Sequence, residues 1–335
     1  MTTQPGQAPG VPAPNPVLAE VVRSGLAESA HRGAVVTVRP DGTAAGRAGA
    51  ADVPMFPRSS NKPMQATAMV RCGLDLGGEL LALAAASHSG EDFHVTGVRK
   101  ILAGAGLTED ALQCPPDLPL DEAARTAVLL AGGTAERVYM NCSGKHAAML
   151  ATCVAAGWPT ASYTDPGHPL QAEIRQTIER LTAEPVTAVG ADACGAPLFA
   201  VSLTGLARAF GALVRAAPES AERRVADAMR AHPRWTSGTA RPDRRLVEAV
   251  PGLLLKSGAE GVQALALADG SAAAFKIDDG DGARRARAVV TVALLRALGA
   301  DDLPGTDRAV LDELASAPVY GGGRVVGEVR AALSF

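Results

Sequence analysis

Phe56-Pro57-Arg58-Ser59-Ser60-Asn61-Lys62-Pro63 is where the character of the chain changes. Upstream lie two short β-rich runs, Val17–Val22 and Ala34–Val38, separated by a polar turn and reading as an opening hairpin. Downstream, Met64, Ala68 and Val70 continue a helix predicted over Ser59–Cys72, and Pro63 is tolerated because it falls in the first turn. Working outward, further helices are expected over Glu79–Ala86, Asp92–Ala105, Asp121–Leu130, Cys142–Ala156, Pro169–Leu181, 202–216 and 219–231, with a short strand at Val186–Val189. Leu253–Lys256, Val262–Leu267 and Ala272–Ile277 read as an antiparallel meander, Arg284–Leu298 as a long helix and Val325–Ala331 as a final strand. Strands at both ends and a large helical block between them predict an α+β fold whose antiparallel sheet joins the termini. The proline-rich residues 1–16 read as a disordered lead-in, Asp41–Ala51 as a mobile loop, and 17–335 as a single catalytic domain.

The same stretch holds the first chemical signal. Ser59-x-x-Lys62 at a helix start puts a hydroxyl and an amine on one face, because residues three apart are neighbours there. The chain has only five lysines, which leaves twenty-seven of its 32 basic residues as arginine. Arginine supplies surface charge equally well but does not give up its proton, whereas a desolvated lysine becomes a neutral base or a ligand. Four of the five lysines sit in short polar motifs: Lys62, Lys145 in Cys142-Ser143-Gly144-Lys145-His146, Lys256 in Lys256-Ser257-Gly258, and Lys276 in Lys276-Ile277-Asp278-Asp279-Gly280. Coding bias alone would thin lysines without regard to their neighbours. Lys100, in Val98-Arg99-Lys100-Ile101, reads as an ordinary exposed helix residue.

Composition narrows the function classes. A net charge of -3 carries no basic excess, which argues against nucleic acid as a partner. No run of about 18 apolar residues is uninterrupted, so no membrane span is expected. The N-terminus lacks the basic and apolar regions of a signal peptide, and five cysteines without a disulfide spacing suit a reducing compartment. Cytoplasmic residence follows.

Two further polar clusters stand out. Ser87-His88-Ser89-Gly90-Glu91 follows an apolar helix and offers Ser87 or Ser89 as a second nucleophile or a substrate-orienting group. Cys142 at a helix N-terminus has a lowered pKa, as suits a nucleophile or metal ligand, and Cys194 in Asp192-Ala193-Cys194-Gly195 is its obvious partner. No standard zinc signature of the Cys-x-x-Cys or His-Glu-x-x-His kind occurs. Ser-x-x-Lys followed by Lys-Ser-Gly is also the order of penicillin-recognising serine enzymes.

Taken together, Phe56–Pro63, Ser87–Glu91, Asn141–Ala147, Gly190–Pro197, Lys256–Val262 and Lys276–Gly280, with Val17–Gly25 before them, resemble the rhizobial-type (class 3) L-asparaginases, also called asparaginase II. The resemblance covers nearly the whole chain after the lead-in. It implies a serine β-lactamase/glutaminase-like fold, a Ser59–Lys62 pair, a second Ser87–Lys276 pair, and zinc held by Cys142, Cys194 and Lys145. Ser87 against Ser89 and Lys276 against Lys256 stay open.

The expected activity is hydrolysis of L-asparagine to L-aspartate and ammonia, with Ser59 attacking, Lys62 as base, and Ser87 and Lys276 completing a relay. Arg58 and Asp192 suit the α-carboxylate and α-ammonium by charge, and His146 joins them as a substrate-binding candidate. A homodimer is expected on symmetry grounds. Two rivals differ in testable ways. A penicillin-binding enzyme needs a Ser-Asp-Asn element, which is not found, and would be acylated by labelled penicillin. A zinc-stabilised amino-acid sensor would be stabilised by ligand without turnover.

Overall fold

The computed structural model describes residues 14–333. Its strands are β1 (Val17–Arg23), β2 (Leu26–Val38), β3 (Ala44–Ala48), β4 (Val189–Ala191), β5 (Pro197–Phe199), β6 (Leu254–Ser257), β7 (Val262–Ala266), β8 (Ala272–Ile277), β9 (Ser316–Gly321) and β10 (Arg324–Ala331). Helices α1 (Lys62–Arg71), α2 (Gly78–Ala84), α3 (Asp92–Gly104), α4 (Glu122–Leu130), α5 (Ser143–Ala156), α6 (Pro169–Thr182), α7 (Leu203–Arg215), α8 (Ala221–Ala231), α9 (Pro233–Thr236) and α10 (Pro242–Ala249) fill the middle. Two more, α11 (Arg287–Ala297) and α12 (Arg308–Leu314), lie between the meander and the last hairpin.

Eight strands form one antiparallel sheet in the order β6-β7-β8-β2-β1-β10-β9, with β3 also paired to β2. Ala19 faces Ala331 across the β1–β10 ladder, so the sheet does join the two ends of the chain. Side chains alternate across a strand, and on the central strands both faces are buried. Ala34, Val36 and Val38 of β2 point into the core shared with the helical block. Val35 of β2 and Phe275 of β8 point the other way, onto Val290 and Leu294 of α11 and Leu311 of α12. The sheet is therefore the middle of three layers. Helix starts follow side-chain capping: Asp121 accepts from Ala124 N–H, Ser202 from Gly205 N–H and Ser220 from Arg223 N–H.

Helices α9, α10 and α12 and strand β5 had no counterpart in the sequence reading, and four further features differ from it. The segment read as a mobile loop over Asp41–Ala51 contains β3, whose small residues have little strand preference of their own and are held by the ladder to β2. The helix predicted from Ser59 begins as a 3₁₀ turn, Arg58–Asn61, before α1. The strand placed at Val186–Val189 lies at Val189–Ala191. Strand β9 went unread because Pro318 interrupts it; on the outer edge of the sheet a missing N–H removes no ladder bond. Residues 1–13 of the expected lead-in lie outside the described residues. Asn15, near its end, donates to the Asp278 carboxylate at 3.0 Å and accepts from Ala50 N–H at 2.9 Å.

Candidate active site

Three segments meet beside the end of β6. The 3₁₀ turn running into α1 supplies Ser59 and, as the first residue of α1, Lys62; the loop after α2 supplies Ser87, and β6 supplies Lys256 and Ser257. Their closeness depends on Gly258: a Cβ there would lie 2.5 Å from the Pro57 carbonyl oxygen, so only glycine lets the strand end approach the turn. Ser59, Ser87, Asn141, Ser257 and Glu260 line a cleft with about 780 Å3 of open space.

Ser87 is the centre of this arrangement. Lys62 Nζ, 1% exposed, donates to Ser87 Oγ at 3.0 Å, to the Ala86 carbonyl at 2.5 Å and to Cys142 Sγ at 3.1 Å. Lys256 Nζ, 4% exposed, lies 2.9 Å from the same Ser87 Oγ and 2.8 Å from the Ser257 carbonyl. Burial, with the charge of Lys62 adding to it, pushes the Lys256 amine well below the ordinary lysine range. The spacing argument for Ser59 and Lys62 places them correctly in one turn, but the Lys62 side chain runs to Ser87. Ser59 lines the cleft, and its carbonyl accepts the Lys62 N–H.

The loop carrying Ser87 is clamped from behind. Ser87 N–H donates to the Thr236 carbonyl at 3.0 Å, and His88 N–H to the Asn141 carbonyl at 3.1 Å. Gly90 N–H donates to His88 Nδ1 at 3.1 Å, which leaves the proton on Nε2, 2.8 Å from Ser143 Oγ. Ser143 in turn donates to the Val138 carbonyl. Burial drives His88 well below its usual pKa and His94, stacked on it, down to about 4, so both are neutral supports. Ser89, 4% exposed, donates to the Ser237 carbonyl at 2.7 Å and faces away from the cleft.

Lys276 is elsewhere. Half-buried on β8, it donates to the Glu260 carbonyl at 2.7 Å, not to Ser87, and burial lowers its pKa. Arg58 Nε donates to Asp192 Oδ1 at 2.9 Å, and Arg58 Nη1 lies 3.6 Å from Glu260 Oε1. These two predicted substrate groups thus pair with each other, with Arg58 held in the left-handed region at φ 51°.

Cys142, Lys145 and Cys194 do come together beneath the Ser87 loop. Lys145 Nζ, 1% exposed, donates to Cys194 Sγ at 3.1 Å, its sole hydrogen-bond acceptor among the described residues. The Cys142 and Cys194 sulfurs face each other, and that interaction pushes Cys142 up, with burial adding to it, while Cys194 is held far down as a thiolate; the Cys142 thiol donates to Asn141 Oδ1 at 3.2 Å. Burial disfavours the Lys145 ammonium, but the Cys194 charge outweighs it and the pKa ends above the ordinary value. His146 faces Cys194 as well; Tyr163 Oη lies 2.7 Å from its Nδ1, and its buried Nε2 has no hydrogen-bond partner among the described residues. No three His, Cys, Asp or Glu side chains among the described residues converge as a metal-holding set.

Sequence reasoning missed Arg241, Asn141 and the Asp243–Ser257 hydrogen bond of 2.5 Å. Asn141 sits directly before Cys142 and had a local signal; Arg241, just before α10, and Asp243, in its first turn, had none.

The family described as L-asparaginase II matches residues 19–331. The chain belongs to this family. By family it is an amidohydrolase. No curated protein matches it. Among solved structures it is similar to Mglu in its native form, at 16% identity and TM-score 0.45, over 86% of this chain and 69% of that one. It is also similar to a β-lactamase from Mycobacterium bovis, at 16% identity and TM-score 0.42, over 79% of this chain and 94% of the other. A β-lactamase described as putative from Bacteroides dorei has 15% identity and TM-score 0.40, over 73% of this chain and 84% of its own. No helix among the described residues is long and apolar enough to cross a membrane.

Proposed function

We propose that this amidohydrolase converts L-asparagine to L-aspartate and ammonia, with Ser87 as nucleophile. The observation that carries this is Ser87 Oγ held between two buried amines at 2.9 and 3.0 Å, one of which is depressed far enough to work as a base. Ser87 Oγ attacks the side-chain amide carbon and its proton passes to Lys256 Nζ. Lys62 Nζ, donating to the same oxygen, stabilises negative charge as it develops. Lys256 then protonates the amide nitrogen, ammonia leaves, and water cleaves the acyl-enzyme ester with Lys256 again taking the proton. Ser59 stays in the machinery as a cleft hydroxyl that positions substrate or the incoming water. Arg58 and Asp192, paired and half covered, present one positive and one negative group to an amino-acid zwitterion, with His146 behind them. Lys276 belongs to the rim of the cleft beside Glu260.

Zinc fits the donor chemistry beneath the loop. A buried amine whose one partner is a thiolate, a second thiol and an unpartnered imidazole nitrogen form an unusually soft nest. Cys142, Cys194 and Lys145 would hold the ion, Lys145 as a neutral amine. Bound there, zinc supplies Lewis-acid polarisation and fixes the thiolates behind Ser87. The enzyme is proposed as one catalytic domain over 17–335 that works in the cytoplasm as a homodimer, a setting with which its five free cysteines agree.

The deciding experiment is ammonia release from L-asparagine and L-glutamine by wild type, Ser87→Ala, Ser59→Ala and Lys62→Met. Turnover of asparagine lost in Ser87→Ala and merely reduced in Ser59→Ala is expected. Full activity in Ser87→Ala would return the nucleophile to Ser59, and no turnover by zinc-loaded wild type would end the enzyme reading.

A further inference from the structure

Beyond Ser257 the cleft continues into a second cavity, and both share the same four lining residues: Arg241, Ser257, Arg284 and Arg287. Three guanidinium groups thus face one space. Burial depresses Arg287 first; Asp243 and Asp281 oppose this, and Arg241 and Arg284 add to it. Arg287 Nε is buried and has no hydrogen-bond partner among the described residues. None of the three makes an ion pair among the described residues, although other arginines there form sixteen with carboxylates.

The carboxylates nearby are already committed. Asp281 accepts the backbone N–H groups of Arg285, Ala286 and Arg287 at 3.0, 3.1 and 3.0 Å. Asp243 accepts from Ser257 Oγ, and Glu260 lies against Arg58. Asp243, which lines the cavity, and Asp281 offset part of this charge, but three guanidinium groups against two carboxylates leave the space net positive, as suits an anion. The position of the cavity says which part of a substrate reaches it. Lys256 delivers a proton to the leaving nitrogen, and Ser257, its chain neighbour, forms the border of the arginine cavity. A substrate whose amide nitrogen lies at Lys256 would direct whatever extends past it toward this border.

We infer that the Arg241–Arg284–Arg287 cavity binds a carboxylate carried by the amine half of the substrate, so that β-aspartyl amides of amino acids are substrates alongside simple asparagine. The inference rests on the amidohydrolase reading above. The chemistry balances as for asparagine: the Ser87 Oγ–carbonyl bond forms, the carbonyl–nitrogen bond breaks, and the Ser87 proton reaches the leaving nitrogen through Lys256. A free amino acid departs in place of ammonia, and water then releases aspartate. Guanidinium groups suit this task because their paired N–H donors match the two carboxylate oxygens.

The test compares β-aspartyl-glycine with β-aspartyl-glycinamide, which has the same length but no carboxylate on its amine half, using L-asparagine as reference. Wild type is expected to favour the carboxylate by about tenfold or more in kcat/KM, the scale of one charge-assisted hydrogen bond. That ratio is expected to fall several-fold in Arg284→Gln and Arg241→Gln and to shrink with added salt. Arg284 is exposed, so its substitution disturbs folding least. Equal rates on the two dipeptides, with asparagine still hydrolysed, would overturn the carboxylate site alone. A wild-type preference unchanged in both variants would overturn its assignment to these arginines. No turnover of any of the three would remove the parent reading and this inference together.

Discussion

Lys145 and Lys256 are both buried amines, yet their surroundings drive them in opposite directions. Burial works against the ammonium in each case. At Lys145 the Cys194 thiolate, with Cys142 and Asp192 behind it, reverses that effect and keeps the proton on. At Lys256 the nearest strong influence is another cation, Lys62, which reinforces it. Burial therefore does not decide whether a lysine is a base; the sign of its neighbours does. One lysine becomes a proton acceptor for chemistry, and the other a cation locked to sulfur until a metal displaces its proton.

The largest expected effect breaks this contrast on the catalytic side. Ser87→Ala and Lys256→Met should each lower kcat/KM for asparagine by about 10³-fold or more, since nucleophile and base act as a unit. The double variant should be little worse than either alone. In wild type, kcat/KM should fall as pH drops through the lowered pKa of Lys256, because protonation removes the base. A wild-type kcat/KM that does not fall as pH drops would show that another group takes the proton.

Next comes the thiolate side. Cys194→Ala leaves the Lys145 ammonium buried without its counterion, and chelator-treated protein should lose about 3–5 kcal/mol in urea unfolding. Lys145→Met in the same chain should restore part of that loss, giving a coupling energy in the double-mutant cycle. Additive losses would mean that the pair observed at 3.1 Å contributes nothing.

A smaller effect concerns the clamp behind Ser87. His94 is held neutral with its pKa near 4, chiefly by burial, against about 6.5 when unfolded. Its folded pKa is depressed, so the stabilisation is complete above the unfolded value and is lost as pH falls from 6.5 towards 4. The loss is on the order of 3 kcal/mol. His94→Leu should flatten this part of the stability curve, and an unchanged slope would assign the acid sensitivity to His88 instead.

How much of this was legible in the sequence follows from how local each signal is. The terminal strands, the meander and the central helices were readable because periodicity and capping are local properties, as at Asp121 and Ser202. The thiol–lysine cluster was recognisable because Cys142 and Lys145 share one helix turn. The pairing of serines with lysines was not. Ser59 and Lys62 are neighbours in sequence, but a long flexible side chain ends where its charge is best satisfied, here at Ala86 and Ser87. Lys256 meets Ser87 across 169 positions, through a docking that Gly258 permits. The arginine cavity, built from α10, α11 and the loop before it, leaves no contiguous motif at all.

Lys276 and Lys256 offer the finest test of the comparison, because sequence alone could not rank them. Both sit on neighbouring parts of one sheet, and burial lowers both. Lys276, however, is half-buried, faces the Glu260 carbonyl at 2.7 Å and needs only to donate one hydrogen bond there. Arginine can do that while keeping its charge, so Lys276→Arg should cost less than about tenfold in kcat/KM. Lys256→Arg places a permanently charged group beside Ser87 and Lys62, where a neutral amine is required, and should cost as much as Lys256→Met. Equal losses at the two positions would mean that Lys276 reaches Ser87 during turnover by leaving Glu260. The nucleophile's partner would then be a mobile rim lysine, and the buried base at Lys256 would be reduced to holding the Ser87 loop in place.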